Sequence, residues 1–222
     1  MTGFTDYTAK KVLDHIVGKT DMGSLPTGYI ALFTAVGLDD GTGFTEVSGG
    51  NYSRVQTADT DWNAASGSAP STNSNANDIE FPTPSADWGT VIAFGIYDAA
   101  SGGNLLMWDY LGNFPWLPAA VSSASPGVIT AKGHGYSAND TFVFSTEFGG
   151  TAPSFSQGNF TGLLAVVSPS GDTFTAKNGA TAVNTSSTGS GMVRKVASQA
   201  ISAGVVAKFA GGTPGTLVLA AA

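Results

Sequence analysis

The stretch from Trp88 to Trp108, WGTVIAFGIYDAASGGNLLMW, limits the fold of this chain more than any other. Thr90, Ile92, Phe94 and Ile96 alternate with Val91, Ala93, Gly95 and Tyr97. A period of two with apolar residues on both sides predicts a strand covered on both faces. Asp98 to Asn104 is a run of small, turn-forming residues, and Gly102, Gly103 and Asn104 suit the positive φ that a reversal needs. Leu105 to Leu111 supplies the return strand, with Leu106, Trp108 and Tyr110 on one face and Leu105, Met107 and Leu111 on the other. The loop between them is longer than the commonest hairpin turn, so a bulged or Ω-like tip is expected. This hairpin is the expected centre of an all-β core.

Upstream, Thr5 or Asp6 can cap a short helix in which Ala9, Val12, Leu13, Ile16 and Val17 form one apolar face and Gly18 ends the helix. Lys10, Lys11, Asp14 and His15 take its wet side. Gly18-Lys19-Thr20 is not a phosphate loop, because the glycine five positions earlier is replaced by Leu13 and the tripeptide follows a helix instead of opening one. A Pro26-Thr27-Gly28 turn leads into a strand at Tyr29–Ala35, and Tyr52–Thr57 gives a second strand carrying Arg54. Glu46 and Arg54 are close enough to pair across the intervening turn, and with no second cation beside Arg54 a structural ion pair is expected. Ala64 to Asn77 is a polar tract without period, expected as a long exposed loop or an arm that orders against a partner. Asp78–Pro82 is a short strand stopped by prolines.

Composition narrows the function. Charged residues make up only 11% of the chain and the net charge is −7, a balance that fits a turn-rich β protein and leaves few charges to hold copies apart. Nine Lys and Arg residues scattered without a basic run argue against direct nucleic-acid binding. The lack of cysteine removes disulfides, zinc–thiolate sites and cysteine nucleophiles. No apolar stretch approaches the ~20 residues of a spanning helix, so no membrane partner is expected, and synthesis in a cytoplasm is. Asp39-Asp40 and Asp59-x-Asp61 lack a calcium loop's spacing and closing glutamate, so no metal or other cofactor is expected. Asp87, Asp98 and Asp109 are the carboxylates from which a glycosidase pair would have to come, but Asp98 sits at a hairpin turn, where aspartate bonds its own backbone. His134, between Gly133 and Gly135, is expected to pack in a turn.

From Pro118 to Arg194 the pattern changes to short strands at Val128–Ala131, Thr141–Ser145, Leu163–Val167, Thr173–Ala176 and Gly191–Val193. That spacing predicts a small inserted β-barrel module over residues 118–194. Ser198–Phe209 and Thr216–Leu219 then return to the parent pattern. The expected organisation is residues 1–117 plus 195–222 as an antiparallel β-sandwich-like core with a short N-terminal helix, and 118–194 as the insert.

The order of DHIVG, YIALFTA, TEVSGGNYSRV, FPTPSADWGTVIAFGIYDAASGGNLLMW and AISAGVVAKFAGG…TLVL resembles a group of tailed-phage virion proteins. These are often labelled tail fibre proteins, and some of them resemble capsid cement or decoration proteins. The resemblance covers residues 1–117 and 196–222, while the insert, with ITAKGHGYSANDTFVFS, resembles a separate β module of phage structural proteins. It implies a non-enzymatic protein on the outside of the head, bridging major capsid subunits; closed symmetry favours a homotrimer on a local three-fold, with a monomer as the alternative. The alternative it leaves is a tail-fibre-associated adhesion protein whose insert binds a host glycan or receptor, with Tyr136, Phe148 and Phe155 as candidates. Interface residues are expected at Phe114, Trp116 and Leu117, where large apolar side chains stand among prolines, and at Asn73 and Asn75 of the polar tract.

Overall fold

Short strands follow one another along almost the whole chain, as the many Gly-, Asn- and Ser-rich turns require. The first are β1 (Gly3–Phe4), β2 (Tyr29–Ala35), β3 (Thr45–Glu46), β4 (Val55–Gln56), β5 (Ser71–Ser74), β6 (Ile79–Glu80), β7 (Gly89–Val91), β8 (Ala93–Tyr97) and β9 (Leu105–Tyr110), with helix α1 at Asp6–Ile16. Then come β10 (Leu117–Val121), β11 (Val128–Thr130), β12 (Thr141–Ser145), β13 (Phe155–Gln157), β14 (Leu164–Ser170) and β15 (Thr173–Asn178). β16 (Thr181–Ala182), β17 (Asn184–Thr185), β18 (Gly189–Val196), β19 (Gln199–Ile201), β20 (Lys208–Phe209) and β21 (Val218–Ala221) complete the series. The computed structural model describes residues 3–21, 27–68 and 71–221, so Pro26 of the expected turn and residues 69–70 of the polar tract lie outside the described residues. The chain is all-β with a short N-terminal helix. It divides into two units, one running to Leu111 and resuming at Ser198, the other Gly112–Ala197.

In the first unit the main sheet runs β1-β9-β8-β2-β3, with β4 also on β2, and its pairings are antiparallel. The expected hairpin is β8–β9, with Gly95 opposite Trp108 and a register shift between Ile96 and Tyr97. Gly95 has to be glycine. A Cβ there would lie 2.6 Å from Cε2 of Phe33 and 2.7 Å from Cδ1 of Leu105. The single strand expected from Thr90 to Tyr97 is instead broken at Ile92. β7 pairs with β19 and β8 with β2, so the alternation of apolar residues serves two different partners. Two further ladders, β6–β20 and β5–β21, belong to the same unit. Its core joins Ile30, Leu32 and Phe94 of the main sheet to Ile79, Phe81, Val91, Ile201 and Leu217. Fully burying each such side chain stabilises the unit by roughly 1.5–3 kcal/mol.

The helix departs from expectation in its packing. Thr5 does not cap it with its side chain. Its hydroxyl donates to the carbonyl of Leu105 instead, and its amide donates to Leu106 O at 3.1 Å. At the other end Gly18 takes φ +70°, and its amide and that of Lys19 donate to His15 and Asp14 carbonyls, a Schellman closure. The C-terminal part of the apolar face is exposed, with Leu13, Ile16 and Val17 at 62%, 72% and 73%, while Ala9 and Val12 are partly buried.

In the second unit β10, β18, β12, β14, β15 and β11 pair in that order, and β11 returns to β10, so the sheet closes on itself as a barrel with β16 attached to β15. Closure removes the exposed edges that short strands would otherwise leave. Ile129, Phe142, Leu164, Val166, Phe174, Val183 and Val193 fill it. The segment Phe114–Pro118, with its two prolines, enters a sheet at Leu117, and Pro118 lies opposite Met192 in the ladder.

Candidate functional site: a cavity at the hairpin tip

β3 and β4 pair with successive halves of one edge of β2, which brings Glu46 and the segment before Val55 side by side. Arg54 there donates from Nε to Glu46 Oε1 at 2.9 Å and from Nη2 to Oε2 at 2.7 Å. Its Nη1 donates to the carbonyls of Ala99 and Gly102 at 2.9 and 2.8 Å, and the guanidinium lies 3.4 Å from the centre of the Tyr97 ring. The expected structural pair therefore does a second job, holding the tip of the β8–β9 hairpin. Although burial disfavours its charge, Arg54 is held above its usual range by Glu46. Tyr52 donates its hydroxyl to Glu46 Oε1 and accepts from the Leu32 amide, both at 2.9 Å. Burial, reinforced by the Glu46 charge, pushes its phenol far up.

Within the tip, Asp98 accepts from the Asn104 amide at 2.6 Å and from its Nδ2 at 2.7 Å. Gly103, at φ +72°, leaves room for this: a Cβ there would sit 2.3 Å from Asp98 Oδ1. Two other segments are bolted alongside. The Asp6 amide donates to Asp39 O at 2.8 Å, and Trp108 Nε1 donates to Asp39 Oδ1 at 3.3 Å. Between the start of α1, the Asp40-Gly41 turn and the hairpin tip lies a cavity of about 320 Å³, lined by Tyr7, Asp40, Tyr97, Asn104 and the Gly102-Gly103 backbone, with Arg54 in its wall. Asp40 Oδ1 accepts from the amide and hydroxyl of Thr42 at 2.9 and 2.7 Å, and these bonds hold its carboxyl below the usual carboxylate range.

The residues put forward from sequence lie elsewhere. Asn75 is an interior residue with no exposed surface, which corrects its placement at an interface. Its Nδ2 donates to the carbonyls of Asn77, Phe209 and Ala210, and its Oδ1 accepts from the Leu217 amide at 2.8 Å. Asn73 lies on β5 opposite Leu219. The polar tract that holds both is thus a strand built into the first unit, not a free arm. Phe114, Trp116 and Leu117 are each partly buried in the second unit. Trp116 packs on Phe148 at 5.1 Å and beneath Arg194, Phe114 under Lys195, and Leu117 against the barrel core.

The aromatic residues named for glycan binding on the insert are not gathered on a rim. Tyr136 is buried against Phe174, Phe155 is packed on Phe160, and only Phe148 is exposed. His134 packs in its turn between Tyr136 and Phe174, and its Nδ1 accepts from the Tyr136 amide at 2.8 Å. Asp87 accepts from the Ala203 amide and Asp109 from that of Tyr110. Asp59 and Asp61 likewise accept from the Thr60 and Ala58 amides. Among the described residues no group of His, Asp and Glu is placed to hold a metal ion. None is long and apolar enough in helix to cross a membrane. Sequence reading missed the cavity itself. Of its lining, the Asp98–Asn104 turn chemistry and the pairing of Arg54 with Glu46 carried a local signal.

The scaffold is all-β, and at this site Arg54, Glu46 and Asp98 fix its own loops. Residues 3–114 match the family described as podophage GP4 fiber I protein gp80, and the chain belongs to that family of phage virion structural proteins. No curated protein matches the chain. The matched region ends at residue 114, and the barrel unit begins at Gly112.

Proposed function

We propose that this chain is a non-catalytic component of a phage fibre, present in the virion as a homotrimer and docked on neighbouring subunits through α1. The observation that carries the proposal is the solvent-exposed row Leu13, Ile16 and Val17, with Phe4 and Leu38 also exposed. Large apolar side chains at helical spacing that no described residue covers mark a surface that gains stability when covered. The family's fibre description supports this position in the particle. So does the engagement of Asp87, Asp98 and Asp109 with backbone amides, which leaves the carboxylates named for glycosidase work serving turns. Trp116, only partly buried in the barrel unit, remains its proposed anchor.

The test is incorporation. A Leu13→Asp, Ile16→Asp double variant is expected to melt at the wild-type temperature and to be lost from purified particles. Normal incorporation would remove α1 as the docking surface. Copy number separates the fibre from the head: a few trimers per particle fit a fibre. Hundreds of copies, near the amount of major capsid protein, would return the chain to the capsid-cement role on the head exterior that its sequence resemblance implies.

A further inference from the structure

We propose that the cavity at the hairpin tip binds a neutral sugar residue, making the first unit, and not the barrel insert, the glycan-binding part of the chain. The inference goes beyond the virion role and holds for either position in the particle. The chemistry follows from which polar atoms are left over. Asp40 Oδ1 takes both bonds from Thr42, which leaves Oδ2 as an acceptor. Asn104 spends its Nδ2 on Asp98, which leaves its Oδ1 as a second acceptor. The hydroxyls of Tyr7 and Tyr97 have no hydrogen-bond partner among the described residues. Acceptors and phenols beside aromatic rings match a pyranose, whose hydroxyls donate and accept and whose C–H face packs on a ring.

Other ligand classes fit less well. An anion meets the Asp40 carboxylate; of the cations nearby, Arg54 has committed its donors to Glu46 and two carbonyls, and Lys11 lies over the Tyr7 ring, 5.1 Å from its centre. An apolar group would leave the acceptors of Asp40 and Asn104 unpaired. The walls are also already fixed. The tip is held by Arg54 and by Asp98, and the 39–40 turn by the amide of Asp6 and the indole of Trp108. Little ordering entropy is therefore lost on binding. A single sugar unit at such a site binds at about millimolar Kd, and a fibre gains avidity from repeated copies.

Saturation-transfer NMR on the purified full chain tests this, with the methyl pyranosides of glucose, galactose, mannose, rhamnose and N-acetylglucosamine as probes, and glucosamine and sialic acid as charged comparisons. At least one neutral glycoside is expected to receive saturation on its ring C–H protons and to shift the amide signals of Gly103 and Asn104. Tyr7→Ala and Asp40→Asn, both at exposed positions, are expected to weaken it about tenfold while leaving the melting temperature unchanged. Binding of none of the neutral sugars overturns the proposal. So does binding that survives both variants, binding that shifts only barrel-unit amides, or a response from the charged probes alone. A chain that binds no sugar yet enters the particle normally sinks this inference and leaves the virion role standing.

Discussion

Arg54 and Glu46 face each other through two parallel hydrogen bonds, with the arginine side chain 8% exposed and the glutamate 25%. Planar matching of guanidinium to carboxylate makes such pairs strong, and removing one partner leaves the other's charge poorly solvated. Here the loss would spread, because the same arginine holds Ala99 and Gly102 at the hairpin tip. Arg54→Ala is expected to destabilise the protein by ~3 kcal/mol in chemical denaturation. It should also speed hydrogen exchange at the 99–104 amides. Arg54→Lys should recover little of either, since an ammonium cannot serve Glu46 and two carbonyls at once.

Asn75 supports a prediction of the same size for a different reason. Its side chain has no exposed surface and bonds the carbonyls of Asn77, Phe209 and Ala210 and the buried amide of Leu217, tying the end of β5 to the segments at β20 and β21. Asn75→Ala leaves the buried Leu217 amide without its partner and removes the ties to Asn77 and Phe209, at a cost of up to ~3 kcal/mol. Loosening of the 209–221 segment should appear as early proteolytic cleavage there. A variant as stable as wild type would show that water fills the space.

These two residues also mark what a linear reading of the chain can and cannot see. Glu46 and Arg54 are separated by one turn, and Asp98 and Asn104 by one loop, so chemistry and spacing together announce both pairs. Asn75 reaches Phe209, Ala210 and Leu217, more than a hundred positions on, and no local pattern encodes that. Its strand, Ser71–Ser74, has no apolar alternation at all, and it is a strand because β21 supplies backbone partners. The polar tract therefore read as a loop. The cavity failed in the same way: Tyr7, Asp40 and Asn104 each look like ordinary surface residues until the fold gathers three segments. Strands β11, β12, β14, β15 and β18 of the barrel were legible because they are short apolar runs between turn-forming residues, whereas β10, which closes it, was not. For α1 the periodicity was equally clear, but it identifies a face without saying what covers it.

Acid should weaken the barrel unit through Asp140. Burial raises this carboxyl, but Lys195 Nζ at 2.7 Å and the Ser137 amide at 2.8 Å outweigh it, and the group titrates below its ordinary value of 3.8. A carboxyl depressed by folding adds stability that is complete above the unfolded value and is lost as pH falls through the folded one. The Asp140 contribution is thus expected to be constant above about pH 5 and to fade below about pH 4. Asp140→Asn should lower the melting temperature at neutral pH and flatten its decline in acid. Parallel acid profiles for the two proteins would show that the Lys195 pair contributes nothing.

The two chain segments that lead into and out of the barrel unit lie against each other. A Cβ built on Gly112 would come within 2.8 Å of Ala197 Cβ, and just beyond them Leu117 of β10 pairs with Val193 of β18. A module whose ends meet adds little loop-closure cost to the chain that carries it, and its removal need not pull the host strands apart. Deleting residues 113–196 and joining Gly112 to Ala197 is therefore expected to leave the first unit folded. β9 would still pair with β8 and β19 with β7. The check is a cooperative thermal transition together with preserved slow exchange at the Ile30–Phe33 amides, which lie at the centre of the remaining sheet. A shortened chain that melts without cooperativity would mean that the barrel is part of the host's own core and not a guest in it.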